Sequence, residues 1–213
     1  MARKAQSSSR ERILDAALEL VRTKGPTASG TAEILAKANA PRGSFYFHFP
    51  DGKQQLVAEA IDRWAAVTMQ TYVDALADRS VPIAQRLETF IISAADALAA
   101  RDYTTGCAVA ATVHEASATS PTLRHRTAEA LESWTTYIAN VLTDEGLPEN
   151  VADAYADTII AALEGAEMIA RATQSTQPLT HVATTLGTAV AAAIDQAKHR
   201  RGGAAGCDSE KRA

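Results

Sequence analysis

The stretch from Asn39 to Leu56, NAPRGSFYFHFPDGKQQL, decides how this 213-residue chain is read. Just before it, Gly30 to Ala38 (GTAEILAKA) has the pattern of a short helix. A tight turn follows at Asn39, where asparagine tolerates the left-handed conformation better than most residues. Residues 41–48 then form another short helix carrying Arg42, Ser44, Tyr46 and His48. Two short helices across a tight turn, the second rich in hydrogen-bond donors, predict a helix-turn-helix. That arrangement lays a recognition helix in the major groove of DNA.

Working outward, Ser8-Ser9-Arg10-Glu11 offers a capping box for a first helix. Ile13, Leu14, Ala17, Leu18 and Val21 form its apolar face, and Gly25-Pro26 stops it. On the other side, Pro50-Asp51-Gly52 is a turn, with Asp51 as cap for a long fourth helix that buries Val57, Ile61, Trp64, Thr68, Tyr72 and Leu76. Further helices are expected over about 82–100, with Ile83, Leu87, Phe90, Ile91 and Leu98 inward, and around 104–118. Ser120-Pro121 opens a helix to about 144, Pro148 one to about 173 and Pro178 a last one to about 199. No strand pattern and no repeat appears. The expected fold is all-α, about nine helices: a basic flexible arm (1–8), a three-helix head (9–52), a larger helical domain (53–199) and a disordered polar tail (200–213).

Composition agrees with this division. Aromatics make up only 5% of the chain, which favours close-packed helices over a β-rich core. The net charge of −4 would argue against nucleic acid if it were evenly spread. Residues 1–53, however, hold nine Lys/Arg against five Asp/Glu, while the rest hold twelve against twenty. A basic head on an acidic body fits a DNA contact confined to one end. Two cysteines, Cys107 and Cys207, give neither a disulfide framework nor zinc spacing, and no apolar run approaches the ~18–20 residues that span a bilayer. With no apolar segment near the N-terminus, a cytoplasmic location is expected.

The head needs phosphate anchors for register and a few side chains at base edges. Arg42, at the start of the third helix, suits bidentate contact with guanine. Gly43 and Ser44 are small enough for close backbone approach, and Ser44 can hydrogen-bond a base or a phosphate. Tyr46, His48 and Lys53 carry donors suited to phosphate. The plainer alternatives are that Tyr46 packs its ring and His48 caps or fills space. Phe45, Phe47 and Phe49 are assigned to core and hinge packing.

Residues 9–56, and above all APRGSFYFHFPDGKQQL at 40–56, resemble the DNA-binding head of the TetR family, in particular its lincomycin-resistance repressor branch. The resemblance implies that Tyr46, His48 and Lys53 grip phosphates, that Arg42 and Ser44 face the groove, and that Thr31 touches the backbone. Asn39 departs from the pattern, since glycine is more usual there. Gly106-Cys107-Ala108-Val109 and the run Leu163 to Arg171 (LEGAEMIAR) resemble the same branch more weakly. In that family the body dimerises through its last two helices and holds a small-molecule pocket, and no cofactor is implied.

Two stripes support a homodimer independently: Val151, Tyr155, Ile159, Ala162, Ala166, Ile169 and Val182, Leu186, Ala189, Val190, Ala193, Ala197. Alanine faces permit close helix approach. Tyr155, Ile159, Ala162, Ala166, Leu186, Val190 and Ala193 are therefore interface candidates, with packing inside one subunit as the alternative. For an apolar or aromatic effector the candidates are Trp64, Met69, Tyr72, Phe90, Tyr103, Cys107, Trp134, Tyr137 and Met168. Each also suits ordinary core.

Catalysis is not expected. Cys107 and His114 share a helix face, but two turns separate their backbones by about 10 Å, far beyond the ~3 Å a nucleophile and base need. The five histidines form no metal-ligand cluster. The expected function is a ligand-responsive repressor that binds a palindromic operator as a dimer. The alternatives are a regulator without an effector and a helical enzyme or carrier with an incidental head.

Overall fold

A computed structural model describes residues 8–210, with side chains through residue 200. The expected basic arm lies largely outside the described residues. Among those described there are nine helices and no strand: α1 (Ser9–Ala28), α2 (Thr31–Lys37), α3 (Ser44–His48), α4 (Gly52–Leu76), α5 (Ile83–Ala99), α6 (Ala108–Ala116), α7 (Pro121–Asp144), α8 (Glu149–Thr173) and α9 (Gln177–Glu210). They divide into two compact units. One comprises residues up to 68 with 104–131, and the other residues 69–103 with those from 132 onward.

In the first unit, α1 begins where the Ser8 hydroxyl accepts the Glu11 amide at 3.2 Å. The Glu11 carboxylate pairs with Arg63 of α4. Ile13, Leu14, Ala17 and Leu20 pack with Ile34, Leu35, Phe45, Phe49, Leu56 and Ala60 in one core that joins α1, α2, α3 and the start of α4. The α1 axis breaks at Gly25, whose φ of 80° and ψ of 166° are open essentially only to glycine. A single turn from Pro26 follows the break. There the Thr27 amide donates to Glu115 on α6 at 2.8 Å. The other end of α6 is also tied to α1, because Arg22 Nε donates to the Gly106 carbonyl at 2.8 Å and the Gly106 amide to the Arg22 carbonyl at 2.9 Å. The same guanidinium lies 3.9 Å over the Trp64 ring.

In the second unit, Ile83, Leu87, Phe90, Ile91, Ala95 and Leu98 of α5 are all buried, as their spacing predicts. Arg86 is buried beside them, only 4% exposed. It donates to the carbonyls of Leu76 and Val81 and pairs with Glu145. Ala156, Ile159, Leu163 and Ala170 of α8 and Ala183, Leu186, Val190 and Ile194 of α9 complete the core. α9 continues to Glu210, beyond the end expected near 199 and through most of the segment read as a disordered tail. Extending an existing helix avoids the cost of nucleation, so weak helix formers can follow strong ones.

Candidate nucleic-acid interface

The turn between α2 and α3 is built from backbone bonds. The Ala40 amide donates to the Leu35 carbonyl at 3.0 Å and the Asn39 amide to the Ala36 carbonyl at 3.1 Å. These are the two bonds of a Schellman cap, which needs a left-handed residue at its apex. Asn39 supplies it, with φ of 48°. The chain then turns at Pro41, whose carbonyl accepts the Ser44 amide at 3.0 Å and the Ser44 hydroxyl at 2.7 Å. The Ser44 proton is therefore used locally, and its oxygen faces a ligand only as an acceptor.

α3 is pinned by Phe45 and Phe49, which are 2% and 0% exposed, with ring centroids 5.9 Å apart. Arg10 on α1 lies 5.1 Å over the Phe49 ring. With that side fixed inward, Tyr46 and Phe47 of α3 face solvent, and Arg42 and Gly43 are exposed in the turn that precedes the helix. Tyr46 is 71% exposed, Phe47 is 82% exposed, and Ser44 and His48 are half-buried. The expectation that Phe47 packs in the core is thus corrected. Residues two apart on a helix are about 200° apart around its axis, so Phe47 must point away from Phe45 and Phe49.

The surrounding cations are unequally engaged. Arg10 pairs with Glu59, Lys24 with Glu33, Lys37 with Glu19, and Arg63 with Glu11 and Asp15. Arg42 has no acidic partner among the described residues. Lys53, in the first turn of α4, donates to the Thr27 carbonyl at 3.1 Å and has no carboxylate partner among those residues. Two of its three ammonium protons remain for a phosphate. Thr31 stands half-buried at the first position of α2, after Gly30. Arg42, Gly43, Ser44, Tyr46 and His48 thus share one short segment, with Lys53 and Thr31 on the adjoining helix starts.

Two family models match the chain. Residues 13–60 match the bacterial regulatory proteins of the tetR family, and residues 82–185 match the C-terminal domain of LmrA/YxaF-like transcriptional regulators. An uncharacterized HTH-type transcriptional regulator of Mycobacterium tuberculosis is 30% identical over 175 residues, covering 80% of this chain and 88% of its own. The chain belongs to the TetR family of transcriptional regulators. The HTH-type transcriptional regulator LmrA of Bacillus subtilis is 29% identical over 174 residues, covering 82% of this chain and 92% of its own. A solved regulatory protein TetR from Rhodobacter sphaeroides superposes with a TM-score of 0.78 at 26% identity, covering 85% of this chain and 98% of that one. The protein is a DNA-binding regulator of the LmrA-like branch, and these relatives are all regulators rather than enzymes.

Within this TetR-family body, Tyr72, Phe90 and Trp134 form a buried aromatic cluster. Ring centroids lie 5.0 Å apart for Tyr72–Phe90 and 6.1 Å for Tyr72–Trp134. Met69, Tyr103 and Tyr137 are half-buried in the same unit. Burial, the largest influence, pushes the Tyr137 hydroxyl above its ordinary pKa, against the opposing effects of Arg86 and Arg79. Trp64 and Cys107 belong to the other unit, half-buried and buried respectively. Met168 is 62% exposed on α8, so it lines no enclosed space within one chain. Cys107 stands just before α6 and is buried, whereas His114 is exposed in the last turn. Among the described residues no group of metal-ligating side chains occurs and no helix is long and apolar enough to cross a membrane.

Four of the interface candidates are already used inside the chain. Ile159, Ala166, Leu186 and Val190 are buried in the core of α8 and α9, which corrects their assignment to a partner surface. Tyr155 is half-buried and donates to the Ala189 carbonyl at 3.2 Å. Ala162 and Ala193 keep part of their surface. Exposed beside them on α8 are Ala161, Met168, Ile169 and Ala172, and on α9 Thr184, Thr188, Ala191 and Ala192.

Proposed function

We propose that this TetR-family protein acts in the cytoplasm as a homodimeric repressor that releases a palindromic operator when a small apolar or aromatic effector enters its body. The observation that carries the DNA half is the outward side of α3 with the turn before it, where Tyr46 is exposed and Arg42 has no acidic partner among the described residues. Arg42 reads a base edge, with Gly43 and Ser44 allowing close approach. Thr31, Tyr46, His48 and Lys53 hold the phosphates. Two heads about one DNA turn apart would turn weak single contacts into selective binding.

The dimer forms through the outward side of α8 and α9, where Ala161, Ala162, Met168 and Ile169 face Thr184, Thr188 and Ala191 of a second copy. Small side chains there favour close helix approach, and Met168 and Ile169 are large apolar groups in want of cover. The effector acts by its differential affinity for two body conformations. α4, which begins in the head and ends in the body, carries the difference by swinging the heads out of register.

A second reading, a regulator without an effector, is supported by the ring-to-ring packing of Tyr72, Phe90 and Trp134, which fills space a ligand would need. Fluorescence anisotropy on duplexes tiled across the upstream region of the protein's own gene, at two salt concentrations and with scrambled duplex as control, tests the DNA half. Tight binding to one tile supports the repressor, whereas weak binding to every tile that salt abolishes opposes it. An operator affinity unmoved by a saturating compound that raises the melting temperature would remove the effector.

A further inference from the structure

Phe47 is the most exposed of the large apolar side chains in the described residues, and it stands in the middle of α3. Nothing in the packing of the described residues explains it. Phe45 and Phe49 hold α3 to the core from the opposite side, and the ring beside Phe47 among the described residues is that of His48, at 5.0 Å and edge-on. An isolated exposed phenylalanine needs no explanation on an ordinary surface. On this helix it projects between Tyr46 and His48, away from Phe45 and Phe49, and the exposed Arg42 stands in the turn just before it.

The major groove offers hydrogen-bonding edges and one apolar feature, the thymine C5-methyl group. A phenyl ring on the groove side of α3 can gain only from that feature. We infer that Phe47 is a specificity-determining residue that reads a thymine methyl in each operator half-site. Arg42 and Phe47 then divide the task, the first selecting a guanine by hydrogen bonds and the second selecting a thymine by apolar contact. This rests on the reading that α3 enters the groove.

The test uses the full-length protein and the duplex that it selects from random DNA. Each thymine in that duplex is replaced in turn, symmetrically in both half-sites, by deoxyuridine, which lacks only the methyl. Burying one methyl corresponds to about fourfold in affinity, so loss from both half-sites should weaken wild-type binding about sixteenfold at one position and little elsewhere. Phe47→Ala should bind the thymine duplex more weakly and lose that sensitivity, and Phe47→Leu should keep part of it. Because Phe47 is exposed, both variants should melt with the wild type. A salt slope unchanged from wild type would show that the cationic contacts to phosphate have not been disturbed.

Indifference of the wild type to every deoxyuridine, or undiminished sensitivity in Phe47→Ala, would overturn the assignment. So would loss of the dimer in Phe47→Ala, which would make the ring a contact between protein chains. If Arg42→Ala still blurs selectivity in those cases, the groove reading survives and Phe47 alone falls. If Arg42→Ala and Phe47→Ala both leave selective binding intact, or if no duplex is selected, both fall together.

Discussion

The Thr27 amide donates to the Glu115 carboxylate at 2.8 Å, across 88 residues of sequence. That carboxylate also occupies the position that a side chain at Gly25 would take. One acidic group on α6 therefore caps the short turn after the α1 break and fills the hollow beside it. Gly25→Ala should cost about 1–3 kcal/mol, from a backbone conformation that alanine resists. Glu115→Ala should cost about 1 kcal/mol, the usual value of a lost cap. In the double variant the overlap disappears, so urea melts should show a loss smaller than the sum of the two. Strict additivity would mean that Glu115 and Gly25 do not share that space.

Arg42 and Lys53 should fail in different ways. Arg42→Ala should cost about 1–3 kcal/mol at the operator and relax selectivity at one base pair. Lys53→Ala should weaken binding evenly across sequences and flatten the log–log salt dependence by about one unit. Anisotropy titrations over a salt series, on operator and point variants of it, distinguish the two. Interchanged behaviour would exchange their roles.

Asn39 supplies a left-handed residue with φ of 48°. Asn39→Gly should leave stability unchanged or raise it by a few tenths of a kcal/mol, while Asn39→Val should lower it by about 1–2 kcal/mol. Chemical denaturation checks both. A harmless valine would show that the turn does not need the left-handed conformation.

Arg86 is buried against two carbonyls and Glu145. Arg86→Met should therefore cost about 3 kcal/mol, because it leaves the Leu76 and Val81 carbonyls and the Glu145 charge without their donor. Glu145→Gln should cost less, since an amide oxygen still accepts from the guanidinium. A ranking of the two by urea midpoint that came out reversed would place the weight on the carboxylate.

Asp62 has a carboxyl pKa raised chiefly by burial, with Glu129 and Glu59 adding to the rise and Arg126 opposing it. A carboxyl that is harder to ionise in the folded state favours folding while protonated, below its unfolded pKa, and loses that contribution as pH rises through the folded value. Asp62→Asn should therefore melt about 1 °C higher at pH 7, in keeping with a surface-sized effect. The gap should close toward pH 4. A gap that widened on acidification would show that the Arg126 pair outweighs burial.

Much of this fold was legible because its helices are punctuated. Ser8, Ser120-Pro121 and Pro148 each mark a start, and the structure begins helices at or next to each of them, whereas Gly25-Pro26 marks a break within α1 that runs on to Ala28. Phe47 was misread for a specific reason. Alternation of Phe45, Phe47 and Phe49 suggests a shared role, but a helix turns about 100° per residue and sends the middle ring to the other side. That signal was present in the sequence. The stripes on α8 and α9 carried less information, because apolar periodicity marks a face that wants cover without saying whose chain covers it. Ile159 and Val190 are covered by their own chain, and Ile169 is not. The link from Glu115 to Thr27 had no local signal at all, since it joins positions that only the folded chain brings together.

The protein has two tryptophans, and each compact unit holds one of them. Trp64 is half-buried beneath the Arg22 guanidinium, whereas Trp134 is fully buried. Their emission should differ in colour, Trp134 toward the blue and Trp64 toward the red. Variants keeping one indole at a time would let fluorescence follow each unit's melting by itself. An unlabelled molecule thereby carries its own pair of optical reporters.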